Sequence, residues 1–398
     1  MPHLLFITDR FPPDLGGLAS SADRITKVLC QLGVEVDVLT WSRSLQPGEV
    51  FLPEPSVEKR LQEPHLYRVG RYRHWDMTMP HTLNLLDWLQ QHRQYDAVWG
   101  HYLFPGGFLA TWFAELNGLP SIISARGNDI DRDIFPPGDF SRLQWTLERA
   151  RLVTAVSKDI ARKIQVLSRR NDVVVLKNVV NDQIFAPATL ENDDIRLLRQ
   201  SLGITEDEVV LGFAGELREK KGQKFLLNAL TTVRTHRPAC LLIIGEVRES
   251  QEAVLHFYGA EYPEARSRII ITGHLSNPID VAKHLQLCDV YLQPSLWEGM
   301  PNALLEAMAC GCCCIASDAG GIPDVIEHGV NGFILPCSQL HRLGEAVLEC
   351  LELDTRQRQQ IGMTARDRIQ SEFSLDSEKA RLQTLLECIN LEVSGADG

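Results

Sequence analysis

The chain has 398 residues, of which 44% are hydrophobic and 23% charged, enough for two or three globular domains with sizeable cores. Its net charge of −12 argues against nucleic-acid binding as a main task. No apolar run approaches the ~18 residues of a membrane helix, and Met1-Pro2-His3 lacks the basic start of a signal peptide, so a cytoplasmic protein is expected.

Leu4 to Thr8 reads as a buried strand, followed by the turn-rich loop Phe11-Pro12-Pro13-Asp14-Leu15-Gly16-Gly17 and a helix to about Leu32. Val34 to Thr40 is the next strand, so the start is a parallel α/β unit whose ligands belong in loops at the carboxyl ends of strands. Gly16 and Gly17 fall in such a loop, where backbone can approach a phosphate closely, although a Gly-Gly pair also suits a plain turn. Residues 42–64 are polar and proline-bearing and read as an irregular surface excursion. Arg68, Arg71, Arg73 and His74 follow; they suit an acidic ligand or anionic lipid headgroups, and equally a solvated face.

Asp96 to Gly100 is a strand that delivers His101 into the loop 102–107, where an imidazole could meet a hydroxyl or serve as a structural histidine. Ser121 to Ala125 is another strand, leading to Arg126-Gly127-Asn128-Asp129. Leu152 to Ser157 and Val173 to Leu176 complete a first sheet. The polar residues 187–196 read as a linker, which puts a domain boundary near residue 185.

The second half repeats the alternation, with strands at 209–213, 241–244 and 269–272 and helices at 224–234 and 279–287. A second parallel, doubly wound sheet follows from it. After its first strand, Arg218, Lys220 and Lys221 form a basic cluster able to neutralise a diphosphate, or simply a surface charge run. Cys310, Cys312, Cys313 and Cys314 lie at a helix end and in an apolar run; adjacent strand residues face opposite sides, so they read as small buried hydrophobes.

Asp289 to Gln293 is a short buried strand, and a helix starts at Asn302, taken as its N-cap, with Leu304, Leu305, Met308 and Ala309 on its buried face. Its first N–H groups and positive dipole end form a ready anion site, with Glu298 on the preceding loop and Glu306 one turn in. A sugar nucleotide needs both donors for its diphosphate and carboxylate acceptors for its hydroxyls; a capping Glu298 and a solvated Glu306 are the plainer reading.

Glu298 and Glu306, in EGMPNALLEAMACG followed by AGGIPDVIEHGVNGFILP, resemble the Glu-x7-Glu signature of retaining GT-B glycosyltransferases, especially glycosyltransferase family 4. The resemblance implies a GT-B fold, two doubly wound Rossmann-like α/β domains facing a cleft, with residues 1–185 on the acceptor side and 186–374 on the donor side. It implies that a final helix, 375–391, packs back on the first domain. The reaction implied is retaining, metal-independent transfer of a sugar from a nucleotide diphosphate sugar to a glycan, lipid-linked or small-molecule hydroxyl, with no cofactor.

The same resemblance assigns Gly16, Gly17, Arg218, Lys221, Glu298, Gly299, Met300, Pro301, Asn302, Ala303 and Glu306 to the donor, and Lys221, Glu298 and His101 to catalysis. Two positions depart from it: Glu216 stands where the family has an arginine, and Arg126, an acceptor-side candidate, stands where it commonly has a histidine. No Asp-x-Asp metal motif sits in a suitable context. A sugar-nucleotide epimerase of the same fold and a catalytically silent sugar-nucleotide-binding protein remain as alternatives, as does peripheral contact with the inner membrane face through the arginines near residue 70; no oligomeric state follows.

Overall fold

The computed structural model describes residues 1–52, 63–132, 137–188 and 193–391. The chain divides into two compact units, Met1–Asn178 with the chain end from Glu378, and Val179–Ser377. The division falls at Asn178, against the sequence expectation near residue 185.

The first unit is built on an eight-stranded sheet: β1 (His3–Thr8), β2 (Glu35–Ser42), β3 (Val50–Phe51), β4 (His65–Gly70), β5 (Ala97–His101), β6 (Ser121–Ala125), β7 (Leu152–Ala155) and β8 (Val174–Val175). Their order is β3-β4-β2-β1-β5-β6-β7-β8, parallel except for β3, which runs antiparallel to β4. The central strands are buried on both faces, which is why β1 reads as the unbroken apolar run LLFI. Helix Gly17–Gln31 lays Ala22, Ile25, Val28 and Leu29 against the sheet, the i, i+3, i+4 stripe of a packed helix. Helix Leu375–Glu387 adds Leu382, Leu385 and Leu386 to the same core.

The excursion expected over residues 42–64 is more regular than its composition suggests. Val50 and Phe51 pair with Val69 and Arg68, and β4 adds a parallel strand beside β2. The middle of that stretch, 53–62, and residues 189–192 of the expected linker lie outside the described residues.

The second unit holds a six-stranded, wholly parallel sheet in the order β11-β10-β9-β12-β13-β14. Its strands are β9 (Val209–Ala214), β10 (Ala239–Ile244), β11 (Ile269–Ile271), β12 (Val290–Gln293), β13 (Cys314–Ser317) and β14 (Phe333–Leu335). Cys313 lies in this apolar core, and Cys312 and Cys314 are buried, as the sequence reading anticipated.

Sequence direction reverses between β1 and β5 in the first sheet and between β9 and β12 in the second. Neighbouring connections leave opposite ways at such a point, opening a crevice at the carboxyl ends of the strands where ligands of doubly wound sheets bind. The site residues belong at those two points.

At the opposite, amino end of the first sheet, the buried Asp37 carboxylate accepts from Arg93 Nε and Nη2 at 2.9 Å each and from Tyr95 Oη at 2.8 Å; His65 Nδ1 lies 3.0 Å away. Burial pushes the Asp37 carboxyl up, but the hydrogen bonds from His3, His65 and Arg93 outweigh it and hold the group far below the usual carboxylate range. A depressed folded pKa contributes stability that is full above the unfolded value near ~3.9 and is lost as pH falls from there through the folded value. Asp37→Asn should therefore cost the first unit about 3–5 kcal/mol and weaken its resistance to mild acid. Thermal unfolding at neutral and acid pH checks this; an unchanged midpoint contradicts it.

Candidate functional site

In the second unit, β9 runs into Gly215 and a single 3-10 turn, Glu219–Lys221, while β12 runs into the loop 294–301 and then helix Asn302–Ala309. The two loops interlock. Leu296 N donates to Lys220 O at 2.8 Å, and a Cβ at Gly222, where φ is +75°, would lie 2.0 Å from Pro294 O. On the other side Gly321 N donates to Gly299 O at 2.8 Å, and a Cβ at Gly320 would lie 1.7 Å from Glu298 O. Only glycine allows backbone to brace the loop so closely on both flanks.

What the bracing fixes is the Glu298 carboxylate. Lys221 Nζ forms an ion pair with Glu298 Oε1, and Ser295 Oγ donates to the same oxygen at 2.9 Å. Gln293 Nε2 donates to Ser295 Oγ at 2.8 Å, and Tyr291 Oη donates to Gln293 Oε1 at 2.8 Å. Tyr291, Gln293, Ser295 and Glu298 are all buried, so each is held through the next. Burial raises the Glu298 carboxyl, but the charges of Lys221 and Lys220 and the bonds from Lys221 and Ser295 win, leaving it below its ordinary value and ionised. The sequence reading missed Tyr291, Gln293 and Ser295; the signal was a polar Gln293 closing an otherwise apolar strand, with Ser295 two residues on.

Arg218 lies in the same turn, its Nη1 3.5 Å from Glu216 Oε2. Glu216 is also paired with Arg248, from the loop after β10, and the two loops are tied by a parallel bridge between Leu217 and Val247. The acidic departure at 216 thus sits between two guanidinium groups, one of which, Arg248, the sequence reading overlooked.

Helix Asn302–Ala309 corrects one expectation. Pro301, extended at φ −76° and ψ 114°, is the N-cap, its carbonyl accepting from Leu304 N at 3.2 Å; Asn302 is the first helical residue. No side chain caps this end, and Asn302 Oδ1 is buried without a hydrogen-bond partner among the described residues. Met300 and Pro301 are buried, whereas Gly299, Asn302, Ala303 and Glu306 are half-buried. Burial pushes the Glu306 carboxyl up to about 7.

In the first unit, Gly16 (φ +115°) and Gly17 are exposed at the start of helix Gly17–Gln31, which has no side-chain cap. His101, expected to meet a sugar hydroxyl, is instead wholly buried: its Nε2 lies 3.2 Å from Ser21 Oγ and its Nδ1 3.4 Å from Thr8 Oγ1. Burial, with the charges of Arg126 and Arg24, holds its pKa well below the usual value, so the ring is neutral. Its two nitrogens face hydroxyls of β1 and of the glycine-led helix. Arg126 is half-buried and donates to Asn178 Oδ1; burial and the charge of Arg24 lower it to about 10, against the pull of Glu378 and Asp129. Arg24 is held in turn by the buried Glu378, at 2.7 and 3.0 Å, another pairing not foreseen.

The expected residues fall into two groups, one at the carboxyl edge of each sheet. Two doubly wound sheets, each with site residues at its switch point, make this an α/β protein of the kind that binds ligands at the carboxyl ends of its strands. Residues 194–368 match the family described as Glycosyl transferases group 1, and residues 15–184 match Glycosyltransferase Family 4. The chain is 24% identical to the N-acetyl-alpha-D-glucosaminyl L-malate synthase of Bacillus anthracis over 94% of both chains. It is 25% identical to the GDP-mannose-dependent monoacylated alpha-(1-6)-phosphatidylinositol monomannoside mannosyltransferase of Corynebacterium glutamicum, over 96% of this chain and 97% of that one. Among solved structures, the Anabaena protein HepE in complex with UDP superposes with a TM-score of 0.79 at 19% identity, over 97% of this chain and all of that one. The chain belongs to glycosyltransferase family 4 and is a glycosyltransferase of GT-B fold.

Ser295→Ala would strip Gln293 and Glu298 of the hydroxyl that joins them. The second unit should lose about 1–3 kcal/mol, seen as a lower thermal midpoint; full retention would contradict the relay.

Proposed function

We propose that the enzyme transfers a sugar from a nucleotide diphosphate sugar to a hydroxyl of a glycan, lipid-linked or small-molecule acceptor, with retention and without a metal. The observation that carries this reading is the Lys221–Glu298 pair set at the β9/β12 switch point, on the loop leading to an uncapped helix start. The relatives' names agree with it: a GDP-mannose-dependent mannosyltransferase among the sequences, and HepE with UDP and with UDP-glucose among the structures.

In this reading, Lys221, Arg218 and the N–H groups from Met300 to Ala303 stabilise charge on the departing diphosphate, the largest contribution to rate. Lysine has three N–H donors, so Lys221 can keep Glu298 while meeting a phosphate oxygen. Glu298, ionised and fixed, accepts from hydroxyls of the transferred sugar. Glu306 accepts from the nucleotide ribose. The leaving phosphate takes the acceptor's proton on the face it departs from, so no carboxylate nucleophile is needed, and the two cations supply the positive charge that a metal provides elsewhere. Arg126 faces the acceptor in this scheme, and Gly16 and Gly17 offer backbone N–H groups to donor phosphate.

Steady-state kinetics separates these roles. Lys221→Ala should lower turnover by about 10²–10³, whereas Glu306→Ala should chiefly raise the donor KM, by roughly tenfold. Full activity in both variants would refute the assignment. Ribose hydroxyls favour the ionised acid, so nucleotide affinity should rise as pH passes upward through about 7, and Glu306→Ala should abolish that rise. The raised folded pKa has the opposite sign for stability: its contribution, full below the unfolded value near ~4.3, is lost as pH rises toward the folded one.

A further inference from the structure

We propose that the acceptor carries an anionic group beside a ring, the anion held by Arg43 and Arg71 at the carboxyl edge of the first sheet and the ring lying against Trp75. This deepens the transfer reading and rests on it.

Three neighbouring strands of the first unit end next to cations. β1 ends at Thr8 and leads to Asp9-Arg10, β2 ends at Ser42 and leads to Arg43, and β4 ends at Gly70 and leads to Arg71. Ser42 and Gly70 are register partners, and Arg71 N donates to Ser42 O at 3.0 Å, so the last two arginines leave the sheet side by side. Arg10, Arg71 and Arg43 all act electrostatically on Asp9, as does the carboxylate of Asp14. Arg68, on β4, instead donates to the carbonyls of Phe11 and Pro12.

Among the described residues, three guanidinium groups, those of Arg10, Arg43 and Arg71, therefore act on the one carboxylate of Asp9. Arg10 lies 4.0 Å from Asp9, but neither Arg43 nor Arg71 has a side-chain hydrogen bond or ion pair among the described residues. A surface arginine normally spends its charge in water at little gain. Arg71 differs in being half-buried and laid over the Trp75 ring at 5.2 Å. That stacking orients the guanidinium while leaving its N–H edge free for a planar or tetrahedral oxyanion.

Trp75 is itself fixed. It stands edge-on to Trp41 at 5.1 Å and to Phe104 at 5.9 Å, and Trp41 is buried and donates to Thr82 Oγ1 at 3.0 Å. Phe104 belongs to the loop that leaves β5, so the aromatic wall stands beside the β1/β5 switch point of this sheet. A rigid, half-exposed ring next to two unspent guanidinium groups matches a sugar or polyol face bearing a carboxylate or phosphate. The excess of positive charge is local to this edge in a chain whose net charge is −12.

Paired probes test this by ligand-observed NMR titration of the full-length protein, alone and with the nucleoside diphosphate that binds: glucuronate against glucose, and inositol 1-phosphate against inositol. Co-flotation with phosphatidylcholine vesicles, with and without phosphatidylinositol, separates a lipid headgroup from a soluble source of the same anion. At least one charged probe should bind about tenfold more tightly than its neutral partner, and the Arg43→Gln/Arg71→Gln double variant should lose that preference while binding nucleotide like the wild type. Equal binding of charged and neutral partners, no binding of any charged probe, or an undiminished preference in the double variant overturns the inference. Failure of the wild type to bind any nucleoside diphosphate would instead count against the transfer reading on which it rests.

Discussion

The structure of the second unit turns on keeping one carboxylate charged where water is scarce. Glu298 is buried, and burial alone would protonate it. Lys221 answers with charge, Ser295 with a hydroxyl, and Gln293 and Tyr291 hold that hydroxyl from behind. The ionised form then survives only if the loops cannot drift, which explains why backbone comes into such close contact at Gly222 and Gly320. Removing any one part leaves a buried polar group without its partner, a cost larger than the worth of the bond itself.

The first unit solves a different problem with similar materials. His101 is kept neutral at the switch point by burial and by two nearby arginines, and it ties β1 to the helix that starts at Gly17. Arg24, Arg126, Asn178 and Glu378 extend this buried polar network to the end of the chain. Outside it, at the ends of β2 and β4, Arg43 and Arg71 have no side-chain hydrogen bond or ion pair among the described residues, while Arg68 holds the carbonyls of Phe11 and Pro12.

Much of this was legible in the sequence. Strands buried on both faces are continuous apolar runs, so β1, β5, β9, β10 and β12 could be read directly, and alternation with helices implied two parallel sheets. Glu298, Lys221 and the helix after Pro301 stood out because a carboxylate, a cation and a helix start share one neighbourhood. Strand β3 could not be seen, since it has two residues at the sheet edge, where polar residues are tolerated, and β4 was obscured by the polar residues His65 and Arg68 within it. The burial of His101 was equally hidden, because its partners Thr8 and Ser21 come from distant positions. Asn302 was misread as a cap because its residue type suits the role, while the chain geometry gives it to Pro301. The pairing of Glu216 with Arg248 depends on two neighbouring loops meeting, which no local pattern encodes.

The proposal stands most directly on Lys221 as the cation at the diphosphate end of a nucleotide-sugar site, beside Glu298 at the sugar end. Calorimetric titration of the wild type and of Lys221→Ala with UDP, GDP, ADP and TDP tests it. One nucleotide should bind the wild type, and the variant should lose at least about tenfold in affinity, the loss of one charge-assisted contact. No binding by any of the four, or equal affinity in both proteins, would contradict it.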